Sequence, residues 1–323
     1  MELTELYKLR RSFSIIGLTG RTGSGCSKIA ELLSGDFNKL SKDIRELSEI
    51  NDELAQKKHS ICLNYLSFED NWYPYEILKY KDILLFYLIS YYSQDYKALK
   101  NIIDTFYRES KKENNSKVAT EVSKEITRTL SKSTLVSDIE DYKGDFSKIR
   151  TKSELEKLHN EFFGDEFKNL SSTIFKILEK NGYYRRTYLL HHLSCNIRKS
   201  GNPLNENEAN DINYIYTIAQ LTNRLIKSRK HQNDIDGKPT KIVIDSLRNS
   251  LEIMFFKERY SGFYMLATKD GNNRIKERIK ERIEKKSLKE DASVLIKNVL
   301  DLDATEYKTS DHSKGVFSST IRY

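Results

Sequence analysis

The chain has 323 residues, which is long enough for one large domain or two ordinary ones. Of these residues 32% are charged, and the formal net charge is +8. Its 20 tyrosines and 14 phenylalanines argue against disorder throughout, and its three scattered cysteines argue against a disulfide framework and indicate a reducing, cytoplasmic setting. The charge favours anionic partners such as nucleotides or nucleic acid, whereas the longest apolar run, residues 83–89, is too short to cross a membrane.

The N-terminal part of the chain predicts strands and helices in alternation. Residues 12–19 form a continuous apolar run that is typical of a buried parallel strand, and residues 27–33 begin a helix. Residues 37–58 carry one narrow apolar stripe at helical spacing. The run SICLNYL at 60–66 predicts a second strand, and Asp70, which follows it, is a weaker candidate metal ligand.

The rest of the chain predicts further helices and two more strands. The strands are KIVID at 241–245 and GFYMLATK at 262–269, and they flank an amphipathic helix. Such short strand–helix–strand units imply right-handed crossovers and a parallel sheet. Further helical patterns occupy residues 82–106, 169–179, 184–199, 211–229 and 275–286.

These elements predict an α/β fold of the P-loop NTPase class, with a parallel sheet flanked by helices. Residues 1–107 and 166–323 are interpreted as the two halves of this domain, the second including a C-terminal tail without a capping element. Residues 108–165 are polar and weakly amphipathic, so they predict a helix-rich insertion whose mobility the composition leaves open.

The segment FSIIGLTGRTGSGCSKIA at 13–30 passes from a strand through four glycines into a helix, the order that builds a phosphate cradle. The template G-x-x-x-x-G-K-[ST] is matched by Gly20, Gly25 and Ser27, with Cys26 where lysine belongs. The alternative is a glycine-rich turn without a ligand. The predicted nucleotide-binding residues are Gly20, Arg21, Thr22, Gly23, Ser24, Gly25, Cys26 and Ser27.

Cys26 stands at the template position of lysine, so the positive charge of that lysine is absent from the loop. A neutral thiol cannot neutralise the β- and γ-phosphates, a contact that normally stabilises the transferring group. Arg21 follows the first glycine and could supply a cation from there, so it is a candidate catalytic residue. Nucleotide binding is therefore expected, while phosphoryl transfer stays open.

Asp245 ends the strand KIVID and is predicted to hold Mg²⁺ together with the Ser27 hydroxyl, because the carboxyl ends of parallel strands converge on one crevice. The alternative role of Asp245 is that of a helix N-cap. Arg274, Arg278 and Arg282 stand four residues apart on one helical face. They fit either a lid that contacts phosphates or a solvated helix with internal ion pairs.

Several segments resemble one family. SIIGLTGRTGSGC is similar to the P-loop segment of bacterial antiphage deoxycytidylate deaminase-type proteins, which join a nucleotide-kinase-like domain to a C-terminal zinc deaminase. IVIDSLRNSLEIMFFKERYSGFYMLAT resembles a segment of deoxynucleotide kinases, and NWYPYEILKYKDILLF and RRTYLLHHLSCNIRKSGNP are compatible with the family, although Ser194 replaces a patterned glycine.

The resemblance implies phosphate binding by residues 20–27, metal and phosphate binding by Asp245 and Arg248, and substrate binding by Arg186 and Arg198. Asn202, in the same segment as Arg198, is assigned to the substrate as well, and so are Arg274 and Arg278. Asp245 and Arg248 join Arg21 as candidate catalytic residues. Arginines spaced along one helix also fit an ordinary solvated surface. The P-C-x-x-C half of a zinc deaminase signature does not occur, so no residue of this chain is assigned to deamination. We therefore expect either a truncated protein or a kinase-like protein that stands alone.

Three functional hypotheses follow. The first is a module that binds ATP or another nucleoside triphosphate with Mg²⁺ and senses or regulates, in antiviral defence, an attached deaminase domain or a partner effector. The second is an active nucleoside or deoxynucleoside monophosphate kinase that uses Arg21 or a lid arginine. The third, and less favoured, is a nucleic-acid-binding module that uses the segment 108–165.

Overall fold

The computed structural model describes residues 12–37, 49–68, 71–92, 95–110, 117–180, 182–204, 212–284 and 292–307. Its architecture is α/β, with helices flanking a four-stranded parallel sheet in the order β2-β3-β1-β4. The strands are β1 (Phe13–Gly20), β2 (Glu76–Lys79), β3 (Thr240–Asp245) and β4 (Phe263–Thr268). Ile15 of the central strand β1 pairs with Ile242 of β3 and Phe263 of β4, so the carboxyl ends of these strands lie at one edge.

The described helices cover the sheet and extend well beyond it. Two short 3₁₀ helices, Glu140–Tyr142 and Ile212–Tyr216, complete the described helical structure. The α-helices are α1 (Cys26–Leu33), α2 (Glu53–Ser67), α3 (Tyr80–Tyr92), α4 (Tyr96–Glu109), α5 (Lys117–Leu130), α6 (Leu135–Asp138), α7 (Lys152–Phe163), α8 (Asp165–Lys180), α9 (Tyr183–Ser200), α10 (Thr217–Ile235), α11 (Ser250–Arg259), α12 (Asn272–Glu284) and α13 (Ala292–Tyr307).

The two faces of the sheet are covered differently. One face packs against α1 through a small cluster of Leu18, Cys26, Ala30 and Val243. The other face belongs to the main core, which is built around α3, because residues 83–90 of that helix are all buried. A helix that is apolar all round has to be enclosed in this way. None of the helices in the described part of the chain has both the length and the apolar character that crossing a bilayer requires.

The segment predicted as an insertion contributes directly to the main core. Helix α5 buries Ala119, Val122, Ile126 and Leu130, which are spaced three and four residues apart, and Phe162 of α7 belongs to the same cluster. These helices therefore pack together with the helices that cover the sheet. The boundaries at 107 and 165 stay a prediction.

The strand predicted at 60–66 is wrong, because these residues lie in α2. The side chain of Asp52 accepts a hydrogen bond from the Ala55 amide at 2.7 Å and starts this helix, and a short apolar run cannot by itself distinguish strand from helix. The second strand of the sheet in chain order is instead β2, only four residues long. Residues 38–48 of the helix predicted at 37–58, and Asp70, lie outside the described residues.

One helical prediction also needed correction, and one helix was not predicted. The helix predicted over 82–106 is two helices, because Asp95 caps α4 by accepting a hydrogen bond from the Ala98 amide at 2.9 Å. The C-terminal tail that was expected to lack a capping element, residues 310–323, lies outside the described residues, whereas the sequence did not predict the last described helix, α13. This helix buries Leu295 and Val299 against Ile275, Ile279 and Ile283 of α12.

We predict that Glu161→Gln raises the free energy of unfolding at pH 8 and removes the part of its pH dependence that comes from this carboxyl group. Glu161 is buried beside Tyr142, and burial raises the pKa of its carboxyl group to about 7. This raised pKa contributes stability that is present below about pH 4.5 and is lost as the pH rises through about 7, roughly 1–2 kcal/mol after allowance for solvent screening.

The measurement is urea unfolding of both proteins between pH 5 and pH 8. Glu125→Gln, on an exposed position of α5, is the matched control and should leave the pH dependence of the wild type unchanged. An identical pH dependence in wild type and Glu161→Gln would contradict the role assigned to this carboxyl group.

Candidate functional site

A cavity of 480 Å³ lies at the carboxyl edge of the sheet, a volume that accommodates a small-molecule ligand. The loop between β1 and α1, the segment that follows β3, and side chains from β2, α3, α9, α12 and α13 line it. Residues from both ends of the chain thus meet at one site.

The loop between β1 and α1 depends on its glycines. A Cβ atom at Gly20 would lie 2.2 Å from the Thr268 hydroxyl oxygen, so the backbone there approaches β4 too closely for any side chain. Gly25 precedes α1 with φ of 105°, a left-handed conformation that other residues rarely adopt. The segment predicted from the sequence as a phosphate cradle therefore has a backbone that only its glycines can form readily.

Ser27 and Asp245 are brought together as the sequence predicted. The Ser27 hydroxyl donates a hydrogen bond to Asp245 Oδ2 at 2.8 Å, across 218 residues of sequence. The Ser246 hydroxyl donates to the other carboxylate oxygen at 3.0 Å, from a residue whose φ of 71° is unusual for a non-glycine. The Leu247 amide bonds to the Leu18 carbonyl at 2.8 Å, so this turn is fixed directly onto β1.

A hydroxyl and a carboxylate are hard oxygen ligands, which suit Mg²⁺. Among the described residues there is no cluster of three or more histidine, cysteine or acidic side chains that could hold a metal. One carboxylate is nevertheless enough for Mg²⁺, which keeps several water ligands and shares the phosphates of its nucleotide. The pair Ser27–Asp245 therefore fits a nucleotide-bound magnesium better than a metal held by protein alone.

Cys26 occupies the first turn of α1 and supports the loop. Its Sγ lies 3.1 Å from the Thr268 hydroxyl and 3.8 Å from that of Ser24, and its side chain packs with Leu18 and Ala30. The lysine position of the template is thus filled by a buried, neutral group that faces β4. Neither Ser24 nor Gly20 lines the cavity, because both lie beneath the loop against the same threonine.

The cations nearest the loop bind a carboxylate that the sequence did not indicate. The Thr22 amide and hydroxyl donate to Asp303 Oδ1 at 3.0 and 2.8 Å, and Arg248 Nη1 donates to the same oxygen at 3.1 Å. Arg21 Nε reaches Asp303 Oδ2 at 3.3 Å. The Asp303 side chain has no exposed surface. No sequence signal marked it, because no helix was predicted over residues 292–307.

A second group of cations lines the cavity near Glu179. Lys81, Arg186 and Arg282 all line it there, together with Glu179. Arg186 Nε lies 3.6 Å from Glu179, and burial together with the positive charge of Arg186 lowers the pKa of Lys81. This group of side chains is therefore more positive than negative, an arrangement that favours an anionic ligand.

Arg198 lines the cavity but belongs to a buried network. Its Nε donates to Glu252 at 2.8 Å, and the Tyr80 hydroxyl donates to both oxygens of that carboxylate. Arg198 and Glu252 are almost completely buried, and burial raises the pKa of Tyr80 well above its usual value. Arg198 is therefore paired with a carboxylate of the protein itself. Its predicted role in substrate binding did not anticipate this ion pair.

Three other predicted substrate residues lie outside the cavity. Asn202 accepts hydrogen bonds from the Tyr92 hydroxyl and the Leu204 amide, so it shapes the turn after α9. Arg274 is exposed and pairs with Asp270 at 3.8 Å. Arg278 pairs with Asp270 at 2.6 Å and donates to the Gly23 carbonyl at 3.0 Å, so it supports the loop from behind. Of the three spaced arginines only Arg282, which was not assigned to the substrate, reaches the cavity.

We predict that Arg198→Ala lowers the free energy of unfolding by about 3 kcal/mol or more, because it leaves the Glu252 carboxylate buried without its cation. Chemical denaturation measures the loss. The matched control is Arg274→Ala, whose side chain is 76% exposed and whose removal should change stability by less than about 0.5 kcal/mol. Wild-type stability in Arg198→Ala would show that the buried pair contributes little.

Comparison of the chain with models of known protein families, with curated proteins and with solved structures found no match. The likeness to deoxycytidylate deaminase-type proteins therefore stays an expectation from the sequence. What the chain binds has to be inferred from the side chains and backbone that line the cavity.

Proposed function

We propose that the chain is a P-loop protein that binds a nucleoside triphosphate with Mg²⁺ in the cavity at the carboxyl edge of the sheet. The observation that carries this proposal is the 2.8 Å hydrogen bond between Ser27 and Asp245. A hydroxyl at the start of the helix after a glycine-rich loop and a carboxylate at the end of the neighbouring strand are the two ligands that such proteins offer to magnesium.

The phosphates would lie on the loop of residues 20–27. Backbone N–H groups at the start of α1 and the positive end of the helix dipole favour an anion there. Arg21 in the loop and Arg248 beside it would add positive charge. Mg²⁺ would be held by Ser27 and Asp245 and would neutralise part of the phosphate charge.

A sensing or regulatory role is favoured over catalysis because of Cys26. Its side chain carries no positive charge and packs against Thr268, so it cannot stabilise charge on a transferring phosphoryl group. The resemblance to antiphage deoxycytidylate deaminase-type proteins supports the same role. In that setting the chain would report nucleotide binding to a deaminase domain or to a partner effector, since no residue here is assigned to deamination.

One observation favours a nucleoside monophosphate kinase as the second candidate. Besides the loop and Asp245, the cavity is lined by Lys81 and Arg186, where the phosphate of an acceptor nucleotide would find positive charge. Arg21 would then have to replace the missing lysine. The nucleic-acid alternative is less favoured, because residues 108–165 contain twelve basic and twelve acidic residues and thus have no net positive charge.

We predict that Ser27→Ala weakens the Mg²⁺-dependent binding of nucleoside triphosphate by about tenfold or more, because a ligand of the metal is lost. Isothermal titration of ATP and other nucleoside triphosphates, with Mg²⁺ and with EDTA, measures this. Ser34→Ala, at the other end of α1, is the matched control and should bind as the wild type does. If the wild type binds no nucleoside triphosphate, the proposal is wrong.

A separate assay distinguishes sensor from kinase. We expect no transfer of γ-phosphate from ATP to deoxynucleoside monophosphates by the wild-type chain, because the lysine position is neutral. Thin-layer separation of labelled nucleotides detects such transfer. A transfer activity that Ser27→Ala and Arg186→Ala both abolish would establish the kinase instead.

A further inference from the structure

The C-terminal helix α13 occupies part of the site in which we place the phosphates. Val299, Leu302 and Asp303 of this helix line the cavity, and Asp303 contacts both the loop and the segment after β3. We propose that α13 is an autoinhibitory element: Asp303 occupies the place of a phosphate group on the loop, and a nucleotide has to displace it. This inference rests on the proposed function and concerns the regulation of the same site.

The contacts of Asp303 are those that an anionic ligand would need. Its carboxylate accepts hydrogen bonds from the Thr22 amide, the Thr22 hydroxyl, Arg248 and Arg21. A planar carboxylate and a phosphate group both suit guanidinium and amide donors in this arrangement. The internal carboxylate therefore takes the donors that would otherwise bind the triphosphate.

Charge makes the two occupants exclusive. A nucleoside triphosphate brings several negative charges, and the Asp303 side chain, with no exposed surface, cannot be screened by water. Two anions that share the same donors in a buried place repel each other strongly. A phosphate can therefore take over Arg21 and Arg248 only when the carboxylate moves away.

The helix is held by a limited apolar surface, which allows such a movement. Leu295 and Val299 pack against Ile275, Ile279 and Ile283 of α12 and against Tyr183. This cluster is separate from the main core, so α13 can detach without opening that core.

Helix α12 connects this cluster to the loop. A Cβ atom at Gly23 would lie 3.3 Å from Ile275, and Arg278 donates to the Gly23 carbonyl. A nucleotide that reshapes the loop would therefore act on α13 twice, once through Asp303 and once through α12. Release of α13 would then be the signal that nucleotide binding sends to an effector.

The test compares the affinity of wild type, Asp303→Asn and Asp301→Asn for ATP with Mg²⁺, and separately for inorganic tripolyphosphate. Asp301 lies on the same helix but is exposed, so its substitution makes the same change in net charge outside the site. We expect Asp303→Asn to bind both probes about tenfold or more tightly than wild type, and Asp301→Asn to bind them as wild type does.

The outcomes separate this inference from the proposed function. Equal affinity of wild type and Asp303→Asn would overturn the autoinhibitory role and leave nucleotide binding intact. Weaker binding by Asp303→Asn would also overturn it, since Asp303 would then help to hold the ligand. Absence of binding in all three proteins would overturn both proposals.

A second measurement does not depend on substituting Asp303. Hydrogen exchange of the wild-type chain, with and without saturating ATP and Mg²⁺, reports whether α13 detaches. We expect amides of α13 to exchange faster and those of residues 23–27 to exchange more slowly when nucleotide is present. Slower exchange in α13 would overturn the proposal, because the helix would then close over the nucleotide.

Leu295→Ala, which weakens the attachment of α13 away from the loop, should raise the affinity for ATP as Asp303→Asn does.

Discussion

Parallel pairing of β1 with β3 is the constraint on which the rest of the site depends. In this register Gly17 pairs with Ile244, so β3 ends at Asp245 two residues before the end of β1, and the turn after Asp245 lies next to the start of the glycine-rich loop. The bond between the Leu247 amide and the Leu18 carbonyl then fixes the second turn to the first strand. Ser27 and Asp245 are within hydrogen-bond distance because of this backbone arrangement, not because they are near in sequence.

Several cations that line the cavity are paired with an acidic side chain of the protein itself. Arg198 pairs with Glu252 in the core, Arg186 lies near Glu179, and Arg21 and Arg248 bind Asp303 at the loop. A charge that is withdrawn from water needs such a partner. The two pairs differ in how the acidic residue is held. Glu252 is buried in α11, which contributes Phe256 to the main core, whereas Asp303 belongs to a helix attached through a small separate cluster. Only the ion pairs of Asp303 can therefore separate at a modest cost in free energy.

The sequence predicted the parts of the fold whose pattern is local. Strands β1, β3 and β4 are short apolar runs bounded by glycine, proline or a polar turn, and each was predicted within about two residues. Strand β2 was missed because four residues after a proline give too short a pattern. The run at 60–66 was misassigned because a strand and one face of a helix look alike over seven residues. Helix α13 was not predicted, because its apolar positions can be recognised as a buried face only when α12 lies beside them.

The sequence by itself determined the loop: its glycines, the hydroxyl of Ser27, the neutral Cys26 and the strand that delivers them are local features with a local cause. It also indicated Asp245, because the end of a buried strand is a recognisable position. The tertiary structure alone decided which cations face the cavity, since helix spacing does not tell Arg282 from Arg274. It alone placed Asp303 on the loop, because a contact across 281 residues is fixed by the packing of α13 on α12 and by no pattern near either residue.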